Sequence, residues 1–301
     1  MIFMALNMEI VMDDELFEVV YQIVWKLWPR REERVTYPGR TIVLMYLWSV
    51  LRCKPRQWVC DLRNLPARLQ EVPIPSRSQF CRRLNSAEVQ AMLVELEQQV
   101  NQIAEVQAAL VGCWLVDAKP LLVSPYSKDK EARWGWAYNG MARGYKLYAL
   151  SDLDQRIVAW RVYGMNQAEP TVAPQLLDQV DRPGYVIGDS IYDSGPLHEV
   201  AGQRDLQLIA PRKDPTGNIG RRARQPTRMR SIDMLETFVN RFGPSMYDKR
   251  TQIERVFSRM GASRIGLDHL PPFVRTLRRV EPWIRAKLTL YAVMNHKELR
   301  H

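Results

Sequence analysis

Apolar residues follow two different rhythms along this chain, and the change comes near residue 111. Up to that point the runs are helix-like. DDELFEVVYQIVWKLW (13–28) and TIVLMYLWSVLR (41–52) predict two helices joined by PRREERVTYPGR, and AEVQAMLVELEQQV (87–100) predicts another with Ser86 as its N-cap. From 112 onward short apolar runs of strand length take over. GCWLVDA (112–118) is the first. GYKLYALSD (144–152) and QRIVAWRVY (155–163) follow, rich in β-formers and separated by Asp-Leu-Asp, and read as a hairpin. EPTVAPQLLDQV and SGPLHEVAGQR predict helices, alternating with strands at GYVIGDS (184–190) and DLQLIAP (205–211). In YDKRTQIERVFSRMG (247–261), Ile253, Val256, Phe257 and Met260 form one apolar helical stripe. The order β-β-β-α-β-α-β-α predicts an α/β fold, a mixed sheet with flanking helices, preceded by an all-α N-terminal region. Two domains are expected, 1–110 and 111–301, the second with a basic insert near 212–230.

Charge follows the same division. Residues 1–110 hold 13 Lys/Arg and 13 Asp/Glu, and residues 111–210 hold 10 and 12. Residues 211–301 hold 20 and 8, so the whole formal excess of +10 comes from the last third. Such polarity suits a polyanion, most simply nucleic acid, or else a solvated basic face. No apolar run approaches the ~18–20 residues of a membrane span, and the N-terminus lacks the basic n-region of an export signal. The four cysteines have no CxxC spacing and lie far in sequence from the four histidines, which favours scattered reduced thiols in a cytoplasmic protein over a zinc site.

Three carboxylates are placed where chemistry could use them. Asp117 ends the apolar run of WLVDA and Asp189 that of YVIGDS, and sites of open α/β sheets gather at carboxyl ends of strands. Asp also caps turns after strands, and Asp193, Asp152 and Asp154 fit that plainer role. On the 247–261 helix, Tyr247, Arg250 and Glu254 share a stripe beside the apolar one. Asp117, Asp189 and Glu254 together, with no nearby His or Cys, favour a hard cation with oxygen ligands, Mg²⁺ or Mn²⁺. A pair of such ions can serve in-line displacement at a phosphodiester.

WLVDAKPL, GYKLYALSD, VIGDSIYDSG and the Tyr-x2-Arg-x3-Glu run of YDKRTQIERVF, in this order, resemble the DDE transposases of bacterial insertion sequences. The resemblance spans roughly 111–296. It implies a ribonuclease-H-like catalytic domain in which Asp117, Asp189 and Glu254 hold the metal ions. It further implies that water nicks DNA at the element's ends and that the freed 3′-hydroxyl attacks target DNA. Tyr247 and Arg250 would lie beside the cleaved phosphate. A homodimer pairing the terminal inverted repeats, a bacterial nucleoid-associated location, no membrane, and a DNA-binding or dimerisation role for 1–110 belong to the same implication. The family pattern continues with a lysine seven residues after the Glu, where this chain has Gly261, read as a helix C-cap; Arg259 and Arg264 are near enough in sequence to stand in.

The insert carries Arg212, Lys213, Arg221, Arg222, Arg224, Arg228 and Arg230, and reads as a flexible arm that orders on DNA. Trp134 and Trp136 read as packing residues, with base stacking as the alternative. Two rival functions remain open at this point: a catalytically silent DNA-binding derivative, and a metal-dependent nuclease without strand transfer.

Overall fold

A computed structural model describes residues 2–29, 35–105, 112–138, 140–217, 219–220, 224–236, 242–262 and 265–295. Two compact units emerge, one made of 1–106, 263–267 and 278–301, the other of 107–262 and 268–277.

The first unit is helical. It contains α1 (Ile2–Leu27), α2 (Gly39–Leu51), three short 3₁₀ turns, α3 (Arg77–Leu84), α4 (Ala87–Glu105) and, from the far end of the chain, α10 (Leu277–Asn295). Every residue of α2 is buried, so this helix is the unit's axis rather than an amphipathic surface element. Phe17 of α1 meets Trp48 of α2 edge-on at 5.1 Å. Ser86 caps α4 as its sequence predicts, its hydroxyl accepting from the Val89 amide at 3.4 Å. In α10, Arg285 pairs with Glu97 of α4, and the fully buried Lys287 donates to the Cys53 thiol at 3.0 Å. Residues 278–295, expected with the sheet domain, are therefore part of the helical unit. Their apolar face, with Val280, Trp283, Ile284 and Leu290, is covered there.

In the second unit a six-stranded sheet carries the architecture. Its strands are β1 (Cys113–Leu122), β2 (Arg133–Ala137), β3 (Gly140–Asp152), β4 (Ile157–Gly164), β5 (Gly184–Ile187) and β6 (Leu206–Ile209). β3 runs antiparallel to β1 on one edge, and on the other edge to β4 and, further along, to β2. β5 joins β1 in parallel and β6 joins β5 in parallel. The order β4-β3-β1-β5-β6, with β3 the reversed strand, is that of a ribonuclease-H-like sheet. α5 (Glu169–Leu177) and α6 (Gly195–Gly202) are the crossover helices that parallel strands require. Their Val172, Leu176, Leu177 and Leu197 bury against Trp114, Val116, Leu150 and Val186 of the sheet.

Three elements depart from the sequence reading. β2 was not predicted, because its RWGWA alternation exposes the large residues and buries the small one. The end of the supposed flexible arm is a helix, α7 (Pro226–Glu236), whose Ser231 hydroxyl accepts from the Ala210 amide at the end of β6. The single helix expected over 247–261 is three pieces: α8 (Phe242–Tyr247), a 3₁₀ turn (Asp248–Arg250) and α9 (Thr251–Ala262). Its apolar stripe is buried as read, with Ile253, Val256 and Met260 fully enclosed. All four cysteines carry free thiols. No described helix is long and apolar enough to cross a membrane.

Candidate active site

The register of the parallel strands fixes two of the three carboxylates. Leu115 pairs with Ile187 as the last rung between β1 and β5. Asp117 and Asp189 each lie two residues beyond that rung, on neighbouring chains that run ~4.8 Å apart within a ladder. Asp117 is thus not at a strand end, since β1 continues to Leu122; it sits where β1 outlives its neighbour β5. Asp189 lies two residues past the end of β5 and caps the following 3₁₀ turn, accepting from the Ile191 amide at 2.8 Å.

Burial dominates the electrostatics of Asp117. It pushes the carboxyl up to about 7, opposed by one hydrogen bond from the Ala118 amide at 2.8 Å and reinforced by the negative charges of Glu169 and Asp189. Glu169 has no place in the sequence reading. It is buried in the first turn of α5 and paired with Lys146 of β3 at 3.1 Å. Its only sequence signal is a carboxylate just before Pro170, at the start of a helix that must bury that end against the sheet. Tyr192, fully enclosed, is held neutral by burial first and then by the charges of Glu169, Asp117 and Asp189. Two aspartates, a buried glutamate and a neutral phenol therefore crowd one corner of the sheet.

The remaining member comes from α9. Glu254 is half-exposed and forms an i,i+4 ion pair with Arg250 at 2.6 Å. Arg250 loses hydration by partial burial, but Glu254, Tyr247, Asp117 and Asp189 outweigh that loss and hold its guanidinium more firmly charged than usual. Arg250 thus feels both aspartates and the glutamate together, and Tyr247 lies beside it at the end of α8. Among the described residues no three Asp, Glu, His or Cys side chains stand close enough to hold a metal ion as they lie, Glu254 being turned onto Arg250.

Oxygen donors at the end of a parallel strand pair, crowded enough to hold a proton near neutrality, fit a divalent cation. A family model described as a transposase DDE domain matches residues 113–292, which is more than half of the chain. This chain belongs to the DDE transposase family. Among solved structures, it is similar to a piggyBac transposase synaptic complex with hairpin DNA, at 10% identity and a TM-score of 0.41, over 95% of this chain and 73% of that one. No curated protein sequence matches.

The basic residues of this transposase divide into groups that the sequence treats alike. Arg212 is committed to Glu236 through two bonds of 2.6 and 2.8 Å, which tie the start of the insert to the end of α7. Arg228 makes two bonds of 2.6 Å to the buried Asp193. The Lys213 amide donates to the same carboxylate at 3.2 Å. Asp193 is therefore no helix cap, because Ser194 occupies that position; it is the anchor of the insert. Arg224 and Arg230 are exposed, with Arg230 reaching Gln207 at 3.5 Å. Arg259 is exposed on α9 and bonds Gln155 at 2.6 Å. Arg221, Arg222 and Arg264 lie outside the described residues.

Gly261 is not a C-cap residue but part of the last turn of α9. A Cβ there would run into the carboxylate of Asp268, which accepts from the nearly buried Lys119 at 2.7 Å. A side chain at 261 would have to shift the half-exposed Asp268 carboxylate away from Lys119.

Proposed function

We propose that this transposase cuts DNA at the ends of an insertion sequence and joins the freed 3′-hydroxyl to target DNA by phosphodiester transesterification. The observation that carries this reading is the level placement of Asp117 and Asp189 on adjacent parallel strands, facing the Arg250–Glu254 pair. Asp117, Asp189 and Glu254 would hold Mg²⁺, or Mn²⁺, as a pair of ions. When bound, such ions polarise the scissile phosphate and stabilise the attacking and leaving oxygens.

The chain's own groups do the rest. Glu254 is half-exposed and paired with Arg250, so it can turn away when a phosphate competes for the guanidinium. Arg250 then offers its planar fork to the phosphate oxygens, a geometry it is built for. Tyr247 borders the same phosphate. Lys146 neutralises Glu169, which keeps a third negative charge from adding fully to the aspartate pair. Buried Tyr192 and the apolar residues around it close one side of the site to water.

Terminal inverted repeats and target duplex are the DNA partners in this reading, a homodimer pairs the two ends, and the helical unit supplies DNA binding or dimerisation. The protein works at the bacterial nucleoid. Asp189→Asn and Glu254→Gln should each abolish cleavage of a duplex carrying the flanking DNA, while binding to it stays within about twofold. Substantial cleavage by either at saturating Mg²⁺ would remove that residue from the site. Recovery of nicked but never joined product from the wild-type protein would reduce the function to a nuclease.

Exposed Arg224 and Arg230 should supply phosphate contacts. Their joint replacement by Ala is expected to lower the slope of log K against log salt by about 2, roughly one unit per contact. A slope that does not move would return both to a solvated face.

A further inference from the structure

The β2–β3 hairpin presents an aromatic surface that the active-site reading does not use. Trp134 is 54% exposed, Trp136 72% and Met141 57%. Cross-strand pairing sets Trp136 opposite Met141 and Trp134 opposite Arg143, so these four share one face of the pleat. Packing, the plainer reading of both tryptophans, does not hold.

The exposure is enforced from behind. On the opposite face the hairpin has Arg133, Gly135 and Ala137 of β2 and Gly140, Ala142 and Gly144 of β3. A Cβ at Gly135 would collide with the backbone of Met165, and one at Gly144 with the Leu121 carbonyl. At Gly135 and Gly144 the back therefore lies against neighbouring backbone, where no side chain fits. Arg143 also bonds three carbonyls of the preceding loop, at Ser127, Asp129 and Ala132. Two indoles kept out of the core on an ordered ribbon form a surface that something flat should cover.

Charge selects the occupant. The loop leading into the hairpin exposes Lys128 and Lys130, while Asp129 is buried and Glu131, also exposed, accepts from the Leu277 amide. Exposed indoles flanked by cations fit a polyanion with aromatic faces better than an apolar protein surface. Register relates this face to the catalytic carboxylates. Asp117 pairs with Ala149, and alternate β3 residues from Ala149 down to Arg143 and Met141 point to the same side. The tryptophans thus share the pleat face of Asp117, roughly 20–27 Å away along the strand. That span is about six to eight nucleotide steps of DNA at ~3.4 Å each.

We propose that the β2–β3 hairpin is a stacking platform for unpaired DNA bases, with Trp134 and Trp136 as its faces. It engages a strand separated from its complement several nucleotides from the scissile phosphate. This rests on the transposase reading above and adds a base-binding site to it.

The test uses the full chain with both tryptophans replaced, Trp134→Ala with Trp136→Ala, and a second variant with Phe at both positions. Fluorescence anisotropy would follow binding to a blunt duplex and to the same duplex carrying a ten-nucleotide single-stranded overhang, each across a salt series. The wild type should prefer the overhang DNA. The Ala pair should lose about tenfold or more on overhang DNA and less than about twofold on the blunt duplex, with the salt slope unchanged, since stacking releases no counterions. The Phe pair should recover most of that loss.

Equal losses on both DNAs, or none on either, would overturn the platform. So would a shift in sedimentation of the DNA-free Ala variant with overhang affinity intact, which would make the patch a self-association surface. If the wild type binds neither DNA, the transposase reading falls with it. If the wild type binds and cleaves and the Ala pair matches it on both DNAs, the platform alone fails.

Discussion

Asp117→Asn is expected to eliminate cleavage and joining and, in the presence of a chelator at pH 8, to melt at a higher temperature than the wild type. Both effects have one cause. Burial and two neighbouring carboxylates hold the Asp117 carboxyl near 7, well above its unfolded value. Between about pH 4 and 7 the native state therefore binds a proton that the unfolded state does not, and stability falls as pH rises through that window. Above 7 the wild type carries the full cost of a charged, poorly solvated carboxylate, at most roughly 4 kcal/mol for a shift of this size. Asn removes the charge and keeps the shape. The variant's advantage should be several degrees at pH 8, at ~2–4 °C per kcal/mol, and should fade to nothing near pH 4. Adding Mg²⁺ should raise the wild-type melting temperature at pH 8 and leave the variant's nearly unmoved. A variant no more stable than wild type at pH 8 in chelator would show that the carboxylate is solvated and the crowded corner does not exist.

A carboxylate that is costly to fold is expected where local rules are broken for function. The sequence marks Asp117 and Asp189 alike, because each carboxylate interrupts an apolar run of strand length, but only the fold shows that Asp117 is the buried one. Glu254 was legible for another reason: its neighbours at i−4 and i−7 made a polar stripe along a clean apolar one. Glu169 and Lys146 were not legible, since a carboxylate at a helix start and a lysine within a strand are ordinary surface features until the fold buries both. Strands β1, β3, β4, β5 and β6 were readable from apolar runs bounded by turn residues. β2 escaped because its large residues face outward, which inverts the usual pattern. The arginines of the insert were hardest to separate. Composition says only that a segment is basic, whereas whether a guanidinium meets solvent or a buried carboxylate depends on residues more than twenty positions away.

Arg228 makes that last distinction measurable. Asp193 is almost fully enclosed, yet its carboxyl is held well below the usual range. Burial alone would raise it, but His198, whose Nε2 lies 3.5 Å away, the two bonds from Arg228 and the Lys213 amide outweigh that. A depressed carboxyl stabilises the fold above its unfolded value near 3.9, and this contribution is lost as pH falls below that point. Removing the guanidinium leaves the carboxylate buried without its main partner. Arg228→Ala should therefore cost about 3–5 kcal/mol, read as a lowered urea midpoint, whereas Arg224→Ala should change stability by less than about 0.5 kcal/mol. Replacing Asp193 and Arg228 together by Ala should cost less than the sum of the single changes, because the stranded charge disappears with its partner. Below the Arg228→Ala melting temperature the salt slope of DNA binding should match wild type, since this arginine faces a carboxylate and not a phosphate. An Arg228→Ala protein as stable as wild type but with a flattened salt slope would return the residue to the DNA surface and leave Asp193 without its strut.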